Sequence, residues 1–413
     1  MNYVPQINRR AFVVSAAAFG GGLALGMDIP LGPTVVRAAD GSPEVTAWVV
    51  IKPDDGVVIR IARSEMGQGS MTGLAQLVAE ELECDWFPTP GQNLARDLVW
   101  GRQFTAGSRA IRESHEYVRK AGATARTMLI QAAANEWKVP AAECSASNSV
   151  ITHRPSGRTT TYGKVAEAAA KIEPPKEVVL KDPKDWKIAG KPLKRLDTPP
   201  KVTGEQVYGI DLKLPGMLCA AIKDCPVFGG KLTSFDAAKV QGMPGVKHVV
   251  KVGDSAVAVV ADRWWQAKTA LDALPATWDE GPNAKVSSAS IAEFIKGGLD
   301  AEQAFVGNQQ GDVKQAIANA AKKVEAVYSF PYQNHATMEP MNATAVYTAD
   351  RCEAWVPTQV AEAALASVSE ASGLPIAKCE VHKLLLGGGF GRRKTKTTCS
   401  RRWRSPSRFR APP

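Results

Sequence analysis

Residues 65–82 read EMGQGSMTGLAQLVAEEL, and two local patterns meet in them. Gly67 and Gly69 bracket Gln68; then Met71, Leu74, Leu77, Val78 and Leu82 recur at helical spacing, with Glu80 and Glu81 mostly off that stripe. A glycine loop opening a helix lets backbone N–H groups approach an anionic or polar ligand, with the first turn of the helix adding donors. Just upstream, VTAWVVIKPDDGVVIRIAR reads as two strands turned at Pro53-Asp54-Asp55-Gly56. Downstream, a second long helix is expected between Arg109 and Trp137, after QFTAGSRA.

A second glycine loop ends an apolar strand: LLLGGGFGRR, 384–393, with Gly388, Gly389, Phe390, Gly391 and Arg392 at its tip. Neither loop is a GxGxxG opening a βαβ unit or a GxxxxGK[ST], so a dinucleotide fold or P-loop is a poor match. Alone, each loop is equally compatible with a tight turn that binds nothing.

The 413 residues suffice for two or three domains, and 45% apolar with 22% charged residues is ordinary for a soluble globular protein. The net charge of +10 suggests nucleic acid, but its distribution argues otherwise: nine Lys or Arg and no acid lie between Arg392 and Pro413. That tail, from 394 on, has no Leu, Ile or Val and reads as disordered. The seven cysteines are scattered, with no CxxC pair, and the five histidines have no HExxH spacing. No protein-made metal site is expected, so a metal here would be held by something else.

The N-terminus places Arg9 and Arg10 before an uncharged Ala/Gly-rich stretch, with small residues at Ala38 and Ala39. This reads as a secretory signal over 1–39 of the twin-arginine type, implying periplasmic export of a folded protein. The run is short and glycine-rich for a membrane span of about 20 residues.

Composition divides the rest into a first domain at 44–171, a Pro/Lys-rich linker at 172–193, a middle domain at 194–320 and a third block at 321–393. Strands and helices mix without strict alternation, which favours α+β over a doubly wound sheet. Trp264 and Trp265 are expected in the core rather than in a substrate cage. His115 and His382 are expected to serve as partners of nearby polar groups. His335 and Glu339 sit in QNHATMEPM, where Glu339 reads as a structural or substrate-positioning carboxylate.

Taken in order, EMGQGSMTGLAQLVAEEL, TAGSRA with AGATARTMLIQAAA, KRLDTPPKVTGEQVYGIDLKLPGMLCAAI, QNHATMEPMNATA, WVPTQ and LLLGGGFGRR resemble the molybdopterin-binding large subunits of the xanthine dehydrogenase/aldehyde oxidase family, in the isoquinoline 1-oxidoreductase-like branch. The likeness runs from Ala47 to about Arg393. It implies a multidomain α+β fold with a hammerhead-like middle domain. Gln359 would bond an oxygen on molybdenum. Gly388, Gly389, Phe390, Gly391 and Arg392 would lie beside metal and pterin, Gly67, Gln68 and Gly69 at the pterin–phosphate part, and Thr105 and Ser108 would add polar contacts.

The resemblance further implies molybdopterin, in cytosine dinucleotide form, whose dithiolene holds the metal. It implies hydroxylation of aldehydes or N-heteroaromatic compounds with oxygen from water, and a small iron–sulfur partner carrying two [2Fe–2S] clusters. The family's general base is a glutamate in a later cofactor domain, so no catalytic residue is expected in this chain. The abrupt change after Arg393 reads as a frame junction that truncates the later domain and leaves the chain inactive alone. Two other classes remain open on the sequence, an inactive exported fragment and a binding protein acting through its basic tail.

Overall fold

The computed structural model describes residues 44–46, 48–86, 92–93, 103–303 and 305–394. The signal read at 1–39 and the basic tail beyond Lys394 lie outside the described residues. Contacts divide the chain into one unit of Met1–Gly216 with Ala336–Pro413 and a second of Met217–His335. The block at 44–171 thus shares one unit with residues 336–393, and the middle unit runs from 217 to 335 where composition divides the chain at 194 and 320.

In the first unit, β1 (Glu44–Thr46), β2 (Val49–Ile51) and β3 (Val57–Ile61) form an antiparallel meander, and β4 (Gln92–Asn93) pairs parallel with β3. The turn read at 53–56 forms: Lys52 N donates to Gly56 O at 2.7 Å, and Asp55 takes the left-handed conformation at φ 67°. Helix α1 (Ser70–Leu82) follows the first glycine loop, burying Leu74, Val78 and Leu82. The single helix expected over 109–137 is two, α2 (Arg109–Arg112) and α3 (His115–Trp137). They part at Ser114, whose hydroxyl accepts from Arg63 Nε at 3.0 Å and Tyr117 Oη at 2.9 Å. Helices α1 and α3 approach closely because Gly122 has no Cβ; one there would sit 2.5 Å from Val78 O. Leu74, Leu82, Met128 and Leu129 fill that contact, each fully buried side chain contributing roughly 1.5–3 kcal/mol. Beyond α3, β5 (Cys144–Ser147), β6 (Val150–His153) and β7 (Thr159–Thr161) make a small antiparallel sheet, and α4 (Tyr162–Ala169) returns to the core, where Tyr162 Oη donates to Leu82 O at 2.6 Å.

Residues 172–193 are not a free linker. Glu80, off the apolar stripe of α1, is nevertheless 1% exposed, and a buried carboxylate requires donors. Its Oε2 accepts from the backbone N–H groups of Lys187 (2.9 Å), Ile188 (2.6 Å) and Ala189 (3.0 Å), and Lys181 pairs with its other oxygen. Glu81 likewise pairs with Arg119 at 2.7 Å. The Pro/Lys-rich stretch is a strap fastened to α1 by carboxylates.

The second unit holds β8 (Cys219–Asp224), β9 (Lys231–Phe235), β10 (Val246–Val252), β11 (Ala256–Ala261), α5 (Trp264–Ala273), β12 (Ala276–Asp279) and α6 (Ser288–Gly297). The antiparallel sheet runs β10-β11-β8, with β9 and β12 forming a separate pair. Helix α5 turns Ala267, Ala270 and Leu271 onto Val257 and Val259. Trp264 and Trp265 are not core: both lie at the start of α5, outside that apolar face, and are more than half exposed.

The chain then re-enters the first unit as β13 (Thr344–Tyr347), β14 (Cys352–Val356), α7 (Ala361–Ser372) and β15 (Cys379–Lys383). Strands β14 and β15 are parallel, joined across one face by α7, whose Ala364 and Val368 pack on Ala354, Val356 and Val381. The fold is α+β, and no described helix is long and apolar enough to cross a membrane.

Candidate functional site

The two glycine loops, more than 300 residues apart in sequence, touch. Leu386 N donates to Glu65 O at 3.1 Å. A Cβ on Gly389 would lie 2.3 Å from Met66 Sδ and 2.9 Å from Gln359 Oε1, so that glycine is demanded by protein against protein.

The turn from Glu65 to Met71 is bonded to itself. Glu65 Oε1 accepts from Gly67 N and Gly69 N and Oε2 from Met71 N, each at 2.9 Å. Gln68, although exposed, is committed: Oε1 accepts from Met66 N at 2.8 Å, and Nε2 donates to Ser64 O (2.8 Å) and Ser70 Oγ (2.7 Å). Arg195 Nη1 donates to Gly67 O at 2.8 Å from outside the turn.

Gln359 sits at the centre, 1% exposed, two residues beyond Pro357 at the end of β14. It is braced against Thr105 in both directions: Thr105 N donates to Gln359 O at 2.9 Å, and Gln359 Nε2 donates to Thr105 O at 2.8 Å. Its Oε1 accepts from Gly391 N at 3.0 Å. One hydrogen of Nε2 remains unused. Thr105 is fully spent on this framework, since its hydroxyl also accepts from Ser64 N at 2.8 Å. Ser108 lies exposed at the start of α2, in the left-handed conformation at φ 55°, with its hydroxyl uncommitted.

The 387–391 loop is held from below. Glu339, 6% exposed, accepts from Gly387 N through Oε2 (3.0 Å) and from Asn342 Nδ2 through Oε1 (2.9 Å). Arg393 pairs with it at 3.0 Å and donates through Nε to Gly388 O at 2.9 Å. The backbone N–H groups of Gly388, Gly389 and Phe390 bond to no acceptor among the described residues. Phe390, at φ 50°, projects its ring 64% exposed beside them. Arg392 is exposed at the loop's end, its N–H on Gly389 O at 3.0 Å.

Three residues of this architecture carry no assignment from sequence. Glu65 reads as the residue before a loop, and Arg393 as the last residue of the third block. Lys383 has a usable signal: it shares the core-facing register of Cys379 and Val381 on β15. Its Nζ donates to Ala62 O at 2.8 Å, and burial pulls its ammonium down to about 7, the nearby Glu362 carboxylate offsetting part of that. His382 bonds Glu353 at 2.8 Å and stacks on Trp355 at 4.5 Å, and His115 faces Trp186 at 6.4 Å. Glu353, Glu380 and His382 could gather around a cation, but Arg351 already pairs with both carboxylates.

Two models of a molybdopterin cofactor-binding domain match the chain, one over residues 7–204 and one over 299–400. They cover both loop regions that converge in the structure. The chain belongs to the family of molybdopterin-binding large subunits. Among these it is similar to the beta subunit of isoquinoline 1-oxidoreductase from Brevundimonas diminuta, with 30% identity over 94% of this chain and 56% of the relative. A membrane-bound aldehyde dehydrogenase [pyrroloquinoline-quinone] of Gluconacetobacter polyoxogenes is 29% identical over 94% of this chain and 52% of the relative. A nicotinate dehydrogenase polypeptide of Pseudomonas putida is 28% identical over 86% of this chain and 30% of its own length. The chain thus spans about half the length, or less, of these family members.

Proposed function

We propose that the 387–391 loop, Gln359 and the outer edge of the 66–69 turn take up molybdopterin with its molybdenum, in cytosine dinucleotide form, and that this chain is the corresponding portion of a large subunit hydroxylating aldehydes or N-heteroaromatic compounds. The observation that carries this reading is the run of three uncommitted N–H groups from Gly388 to Phe390 beside the unused hydrogen of Gln359 Nε2. Neutral donors suit ligand oxygens and offer nothing to a bare cation. The residues present therefore fit a group that brings its own metal ligands. When bound, that group supplies the metal centre at which a substrate carbon gains oxygen drawn from water.

The chain's own residues bind and orient. Gln359 is fixed by Thr105 and Gly391 before any ligand arrives, so little side-chain freedom is lost on binding. Phe390 provides an apolar wall. Glu339 does not hold a substrate proton, because both its oxygens are occupied by Ile210, Asn342, Gly387 and Arg393. In this reading the general base is the glutamate that the family resemblance puts in a later cofactor domain, and this chain alone is inactive. Electrons leave through a small partner with two [2Fe–2S] clusters, and Arg9 and Arg10 direct export to the periplasm.

The test is metal analysis of the chain produced together with the cofactor-synthesis machinery. Wild type should carry less than one molybdenum per chain, Gln359→Leu less still, and neither should reduce a dye with an aldehyde or N-heterocycle. Equal metal in the two proteins overturns the place of Gln359. Dye reduction by the chain alone overturns its dependence on an outside base. Bound organic quinone without molybdenum would favour the group in the second relative's name.

A further inference from the structure

We infer that Glu65 is a built-in anion of the first glycine loop, so that an anionic part of a ligand finds the N–H groups of Gly67, Gly69 and Met71 already taken. This deepens the cofactor reading above and rests on the same cluster being the ligand site. A glycine turn running into a helix N-terminus is the arrangement that would cradle a phosphate. Here Glu65 already occupies three of its donors. Glu65 receives the N–H groups of Gly67, Gly69 and Met71, all at 2.9 Å, and its side chain has no solvent exposure.

The glycines also have an explanation without a ligand. Their φ values of 104° and 83° accompany alternate N–H groups bonded to Glu65, a conformation other residues adopt only under strain. The carboxylate's charge is met in turn. Arg195 Nη2 lies 3.2 Å from Glu65 Oε1, and Arg195 is held by Asp197 at 2.8 and 2.9 Å, which Lys201 also contacts. This alternating chain of charges seals the turn from the side of the strap.

Chemical rescue tests the assignment, read by amide NMR of the deuterated chain with formate and inorganic phosphate as probes. In the wild type, neither anion should shift the Gly67, Gly69 or Met71 amides. In Glu65→Ala, formate should shift all three saturably and restore the Tm lost on substitution, whereas chloride at matched ionic strength should not. A saturable wild-type shift at these amides overturns the inference. So does a Glu65→Ala chain whose amides ignore formate. If the alanine variant fails to fold, Glu65→Gln keeps the shape with half the acceptors: its three amides should respond to phosphate, and their silence is equally fatal. The readout needs no molybdopterin, so a failed metal analysis and a failed rescue point to different errors.

Discussion

Arg393 Nη2 lies 3.0 Å from Glu339 Oε2, with Arg393 2% and Glu339 6% exposed. The pair ties the segment before β13 to the end of the second glycine loop, because Glu339 also accepts from Gly387 N and Arg393 donates to Gly388 O.

Removing either partner leaves the other charge buried and alone. Arg393→Met and Glu339→Gln should each cost about 3–5 kcal/mol in denaturant unfolding. The double variant should lose clearly less than the sum of the singles, which a double-mutant cycle reads directly.

Two glycines of one loop should respond differently to alanine. Gly389→Ala drives a Cβ into Met66 and Gln359, so it should separate the loops and destabilise by about 1–3 kcal/mol or more. Gly391→Ala meets open space and should cost only the left-handed backbone conformation, about 1–2 kcal/mol. Tm values of the two variants, compared with the wild type, check the order.

Lys383 makes stability depend on pH in a predictable sense. Its folded value of about 7 lies below the ordinary 10.5, so between these limits the unfolded chain holds a proton that the folded chain lacks. Stability therefore rises with pH through that window, by at most about 1.4 kcal/mol per pH unit, and the penalty of the buried charge is complete below pH 7. Lys383→Met removes the titration. The stability of wild type relative to this variant should increase from pH 7 to 10, and a flat difference would refute the burial argument.

The strap should loosen when its acceptor is lost. Glu80→Ala deprives three backbone N–H groups of their acceptor and Lys181 of one of its two carboxylate partners. Buried donors left unmet cost about 1–3 kcal/mol each. Limited proteolysis should then cut within 172–193 faster than in the wild type, while the α1–α3 core, which Glu80 does not fill, keeps its protection.

Much of the architecture is legible because it rests on short-range patterns. The helical stripe from Met71 to Leu82 and the turn at 53–56 both appear where spacing and turn chemistry put them. The strap reads wrongly as a linker for a physical reason: its own Pro/Lys-rich composition is that of a linker, and what fastens it is Glu80 on another element. Trp264 and Trp265 read wrongly as core because hydrophobicity alone does not say which side of α5 faces the sheet.

The sequence by itself determined the two glycine loops, Gln359 at a strand end, and the family resemblance those motifs carry in order. Only the tertiary structure decided what each donor does. It brought 64–69, Thr105, Gln359 and 387–391 together, spent the N–H groups of Gly67, Gly69 and Met71 on Glu65, and left those of Gly388 to Phe390 without an acceptor among the described residues. The reason lies in the nature of the groups: a backbone N–H is the same donor at every position, and whether an acceptor meets it is settled by residues distant in the chain.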